Sequence, residues 1–94
     1  MTESATFDLI RTLTELTGPT GDEALVQDWI AERWSQSCSE IRRTRVDNVL
    51  GKVGGSGPRL AIMGHADEIC YLVKSITPEG FVLIWPYFQD TRGF

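Results

Sequence analysis

The segment Leu60-Ala61-Ile62-Met63-Gly64 constrains this chain more than any other. A short, unbroken apolar run of this kind reads as a strand buried on both faces, as in the middle of an α/β sheet. The run ends in His65-Ala66-Asp67-Glu68. Open α/β sheets put their ligand sites beyond the carboxyl ends of their strands, so the single histidine of the chain stands where a site is expected. Strand residues alternate faces, which lets His65 and Asp67 point the same way. A neutral imidazole ligates a metal through one nitrogen, while a carboxylate on its other N–H fixes the tautomer and raises its basicity. On spacing alone two readings stay open for His65: a hydrogen-bonded structural histidine and a metal ligand. A stable metal site needs three or four ligands, and this segment supplies one histidine.

Two helices are expected ahead of this segment. Phe7, Ile10, Leu13 and Leu16 recur at helical spacing over residues 5–17, with Leu9 beside them and Ser4 as the N-cap. Gly18-Pro19 stops that helix. Thr20-Gly21-Asp22-Glu23 fits a capping box, with Thr20 as N-cap and Glu23 at N3. The second helix then runs to about Trp34, with Leu25, Trp29 and Ile30 as its buried stripe and Val26 and Trp34 at the edges. Trp29 and Trp34 read as packing residues rather than a ligand cage.

Beyond residue 39 the period shortens. Ile41, Thr44 and Val46 begin a strand charged by Arg42, Arg43 and Arg45, the pattern of a protected edge strand, with an anion site as the other reading. Asp47-Asn48 turns, and residues 49–53 return. After the Gly54-Gly55-Ser56-Gly57-Pro58 loop and the buried run, residues 69–76 form a strand, Thr77-Pro78-Glu79-Gly80 turns, and residues 81–85 come back as a hairpin. Phe81-Val82-Leu83-Ile84-Trp85, with Pro86-Tyr87-Phe88 behind it, is an apolar stretch with little chain left to cover it, so the 94 residues are expected to be the front part of a larger protein.

Composition narrows the function classes. Nine Lys+Arg against thirteen Asp+Glu give a net charge of -4, and eight of the acidic residues fall in the first forty. Nucleic acid is not expected as a partner, because phosphate neutralisation needs a basic surface. No apolar run reaches the ~20 residues that span a membrane. The N-terminus lacks the basic and apolar regions of a secretory signal, which points to the cytoplasm and to free thiols at Cys38 and Cys70.

These residues together resemble the M42 family of metallo-aminopeptidases, within the larger group of co-catalytic zinc peptidases. The likeness is carried by His65-Ala66-Asp67-Glu68-Ile69 with the hairpin that follows, by Leu13-Thr14-Glu15-Leu16-Thr17-Gly18-Pro19-Thr20-Gly21-Asp22-Glu23, by Val46-Asp47-Asn48-Val49 and by the strand from Arg59 to Met63. Ala66 stands where the family commonly has Met, Cys70 where it has Gly, and Gln89-Asp90-Thr91 in place of a Gly-Gly-Trp-Asp-like turn. The resemblance implies an α/β fold: two N-terminal helices and strands of a mixed sheet in residues 1–67, the N-terminal part of a peptidase catalytic domain. Residues 68–94 would be the first strands of an inserted β-barrel or PDZ-like dimerisation domain. It implies His65 as a metal ligand and Asp67 as the supporting carboxylate, usually counted as catalytic. Two divalent metal ions, zinc or cobalt, peptide substrates and a homo-oligomer are implied for the complete protein, with the remaining ligands downstream. The 94 residues alone would then be inactive. Two other readings stand beside it: an endoglucanase-labelled relative on the same scaffold, and a non-catalytic interaction fragment.

Overall fold

The computed structural model describes residues 2–86. The element order is α1 (Glu3–Glu15), α2 (Ala24–Ser35), β1 (Glu40–Arg43), β2 (Val49–Lys52), β3 (Tyr71–Ile76) and β4 (Val82–Pro86). Helices and strands are both present, as an α/β reading expects. The strands form two separate antiparallel pairs, β1 with β2 and β3 with β4. The only parallel pairing among the described residues is an isolated bridge between Pro19 and Glu68, so the expected mixed sheet is not assembled among them.

The helix starts differ from their expected caps for local reasons. Thr2, not Ser4, caps α1, its hydroxyl accepting the Ala5 N–H at 3.2 Å. Thr20 does not cap α2, which begins after Glu23 with no side-chain cap at all. Pro19 to Asp22 instead close a turn, the Asp22 N–H donating to the Pro19 carbonyl at 2.9 Å. Gly21 sits at its third position with φ 88°, the conformation a type II turn demands and glycine supplies cheaply. Glu23 bends back to accept the Gly21 N–H at 2.7 Å. A forgone N-cap costs about 1 kcal/mol, so another partner holds the Thr20 hydroxyl.

Packing is sparse. Val26 is the one buried hydrophobic residue among those described. The expected stripe on α2 is thus displaced: Val26 faces inward and Leu25 outward, while Trp29 and Ile30 are half-buried. Trp34 lies over the β1–β2 hairpin, where a Cβ on Gly51 would come 2.8 Å from its ring and 2.7 Å from Cys38 Sγ. Only glycine lets the strand approach the indole that closely. Arg43 on β1 ties the hairpin to α2 by pairing with Asp28, and it also meets Asp47 at 2.5 Å. These two carboxylates raise the already high Arg43 pKa. The edge-strand reading of this arginine is thereby satisfied through ion pairs, while Arg42 and Arg45 remain exposed. Asp47 takes φ 63°, which a short Asx side chain tolerates, and lets the chain reverse between β1 and β2.

The buried central strand is the expectation that fails. Residues 60–63 form no ladder, and Leu60, Ile62 and Met63 are 85%, 90% and 91% exposed. A strand is buried only by neighbours on both sides, and none of the described residues pairs with this run. The β3–β4 hairpin forms in the expected place, its Thr77-Pro78-Glu79-Gly80 loop closed by the Thr77 N–H to the Phe81 carbonyl at 2.9 Å. A register shift between Val73 and Ser75 bulges Lys74 out, and its ammonium lies 5.3 Å from the Trp85 ring centre. Among the described residues both faces of this hairpin are open, as expected for an apolar stretch with little chain left to cover it. Tyr87, Phe88 and the Gln89-Asp90-Thr91 departure lie outside the described residues.

Candidate active site

The parallel bridge brings two of the family-like passages together, residues 13–23 and residues 65–69. The Glu68 N–H donates to the Gly18 carbonyl at 2.8 Å, which lays residues 18–20 alongside residues 66–68. Gly18 is buried, and its missing side chain is what lets the loop close on α2. A Cβ there would sit 2.6 Å from Val26 Cγ2 and 3.6 Å from the Ala66 carbonyl oxygen. Leu13, Leu16, Gly18, Val26, Ala66 and Asp67 share one shallow cleft, so the end of α1 and the start of α2 flank the Asp67 segment.

At the mouth of this arrangement His65 and Asp67 meet, as their spacing predicts. His65 Nδ1 lies 3.0 Å from Asp67 Oδ1 and 3.0 Å from the Asp67 main-chain oxygen. Two acceptors on one ring nitrogen select the tautomer with the proton on Nδ1. In the neutral imidazole the lone pair is then on Nε2, on a side chain that is 86% exposed. The second carboxylate oxygen has its own donor: the Thr20 hydroxyl donates to Asp67 Oδ2 at 2.5 Å. The Asp67 carboxyl is held below the usual carboxylate range, chiefly by the Thr20 hydroxyl and then by His65, with partial desolvation opposing both.

Sequence reasoning pairs His65 with Asp67 but misses Thr20. Its signal was present in the Gly-Pro-Thr-Gly turn, but the following Glu23 made a helix cap the more economical account. Only the bridge to Glu68 shows that the hydroxyl points at a residue 47 positions away. The arrangement is a hydroxyl–carboxylate–imidazole chain that ends in an outward ring nitrogen. That donor set suits one ligand position of a divalent cation. No group of three His, Cys, Asp or Glu residues able to hold a metal occurs among the described residues. No helix among them is long and apolar enough to cross a membrane.

Comparison with known proteins gives a consistent likeness. Residues 47–86 match the profile of the M42 glutamyl aminopeptidase family. A protein of Acetivibrio thermocellus provisionally named an aminopeptidase is 29% identical over 82 residues, covering 87% of this chain and 25% of that protein. FrvX of Escherichia coli (strain K12), also provisionally named an aminopeptidase, is 29% identical over 76 residues, covering 81% of this chain and 21% of that protein. The lysyl aminopeptidase of Pyrococcus furiosus is 25% identical over 81 residues, covering 85% and 23%. This chain therefore spans a quarter or less of the length of these relatives. No solved structure matches it significantly.

Proposed function

We propose, from the premise that this chain is the N-terminal portion of an M42 family aminopeptidase, that the complete protein is a metal-dependent aminopeptidase releasing N-terminal residues from peptides. Residues 1–67 would contribute to a zinc-peptidase-like catalytic domain, and residues 68–94 would begin an inserted β domain through which the protein oligomerises. The observation that carries the reading is the 3.0 Å contact of His65 Nδ1 with Asp67 Oδ1, within the family-matched segment and ending in an outward Nε2.

His65 would present Nε2 to one of two divalent cations, zinc or cobalt, with further ligands from downstream sequence. When bound, such ions polarise the scissile carbonyl and lower the pKa of water. Asp67 accepts the Nδ1 proton in a hydrogen bond, holds the ring in one tautomer and makes it a better donor. Glu68 serves through its backbone, tying the site segment to residue 18. The set is incomplete among the described residues, and the chain alone would be inactive. The same reading takes a cytoplasmic setting, in which Cys38 and Cys70 stay thiols.

The test is metal content beside kcat for two variants of the full-length protein. His65→Ala removes a ligand, so metal stoichiometry falls and turnover collapses. Asp67→Asn keeps the ligand but loses the carboxylate, a change that typically costs ~10–100-fold in affinity or activity. Full metal content and activity in His65→Ala would end the assignment.

A further inference from the structure

We propose that Thr20 is a positioning residue for His65, its hydroxyl locking the Asp67 carboxylate so that the imidazole turns Nε2 toward a divalent cation. The inference rests on the aminopeptidase reading above and adds to it a residue from a distant loop. Three observations on the backbone and side chains support it. The turn from Pro19 to Asp22 sets Thr20 at its second position, and the bridge from Pro19 to Glu68 docks that turn against the site segment. The hydroxyl reaches Asp67 Oδ2 at 2.5 Å, while Oδ1 of the same carboxylate takes His65 Nδ1 at 3.0 Å. The hydroxyl is committed there even though α2 is left without a side-chain cap.

A carboxylate held at one oxygen only can rotate about its terminal torsion, a broad two-fold well. Exposed at 35%, Asp67 has little packing to stop that rotation. A donor on Oδ2 fixes the carboxylate plane, and that plane fixes the ring. Threonine suits the role because its branched Cβ restricts χ1.

The experiment compares Thr20→Val and Thr20→Ser in the full-length protein, with zinc alone as the probe. Zinc affinity is read by competition with a chromophoric chelator, and the His65 tautomer by ¹⁵N chemical shifts of the metal-free protein. Thr20→Val keeps the shape and loses the hydroxyl. It should weaken zinc binding by roughly 2- to 12-fold, the range of one net hydrogen bond, and shift His65 toward a tautomer mixture. Thr20→Ser restores the hydroxyl and should recover both readouts. A packing role gives the reverse pattern, with Val tolerated and Ser impaired, and overturns the proposal. Thr20→Ala, which adds no bulk to the turn, repeats the Val test should Val disturb the fold. Unchanged affinity and tautomer in Val and Ala, while His65→Ala loses zinc, overturns the Thr20 role alone. Undiminished zinc binding in His65→Ala overturns the underlying metal site.

Discussion

Gly18→Ala probes the closure on which the candidate site depends. The added Cβ would lie 2.6 Å from Val26 Cγ2, whereas carbon atoms pack at about 3.5–4.0 Å. About 1 Å must therefore be found. Val26 cannot swing aside cheaply, because a helical valine keeps essentially one χ1 rotamer, and it is the buried residue of this region. The loop must back away from α2, which stretches the bond of the Glu68 N–H to the Gly18 carbonyl, now 2.8 Å, and draws Thr20 off Asp67. Overpacking of this kind costs about 1–3 kcal/mol. Gly18 is not in the left-handed region, so alanine meets no backbone strain, and its lower unfolded-state entropy returns about 0.4–1 kcal/mol. Midpoint against midpoint, the net expectation is a loss of about 1.3 kcal/mol at this contact. Val26→Ala alone removes two buried methyl groups and costs about 1.5–2.5 kcal/mol. In the double variant the new methyl occupies the space that Cγ2 vacated, so the two costs should fall short of their sum by about 1 kcal/mol. Native-state hydrogen exchange at the Glu68 amide of the full-length protein reads the opening free energy directly. Wild-type exchange in Gly18→Ala, or costs that add within about 0.5 kcal/mol, would refute the steric argument.

Gly51→Ala should unseat the β1–β2 hairpin from α2, since its Cβ would meet Cys38 Sγ at 2.7 Å and the Trp34 ring at 2.8 Å. A red-shifted, more quenchable Trp34 emission, isolated by replacing the other tryptophans, is the expected sign. Asp67 is held below its ordinary pKa by Thr20 and His65, so its contribution to stability is full above the unfolded value of ~3.9. That contribution is lost as pH falls through the lower folded value. A ¹³C titration of the Asp67 carboxyl should therefore show a depressed midpoint that rises toward the ordinary value in Thr20→Val; equal midpoints would contradict the hydrogen bond. Arg43→Met should loosen the same hairpin through loss of Asp28 and Asp47, with the difference from wild type shrinking as salt rises. The 94-residue chain by itself should bind hydrophobic dyes and self-associate, given Ile62 and Met63 at 90% and 91% exposure and the open β3–β4 faces. A sharply melting monomer would count against this.

The sequence by itself determined the local elements and half of the site. Helical periodicity and the Gly18-Pro19 stop located α1 and α2 to within a few residues. The turn residues Asp47-Asn48 and Thr77-Pro78-Glu79-Gly80 located both hairpins. These are short-range features, decided by torsions and hydrogen bonds a few residues apart. The His65–Asp67 contact was legible for the same reason, being two residues apart on one extended segment. Which residues are buried was not legible. Leu25 and Val26 are equally apolar, and only the approach of Gly18 makes Val26 the inner one. The run at residues 60–63 carries the pattern of a central strand, yet a pattern states what a strand can bury and not what lies beside it. Thr20 shows the same divide. Its sequence neighbours offered a helix cap, and the bridge of Pro19 to Glu68 gave its hydroxyl a carboxylate instead. A contact across 47 residues depends on where the backbone docks, and only the tertiary structure fixes that.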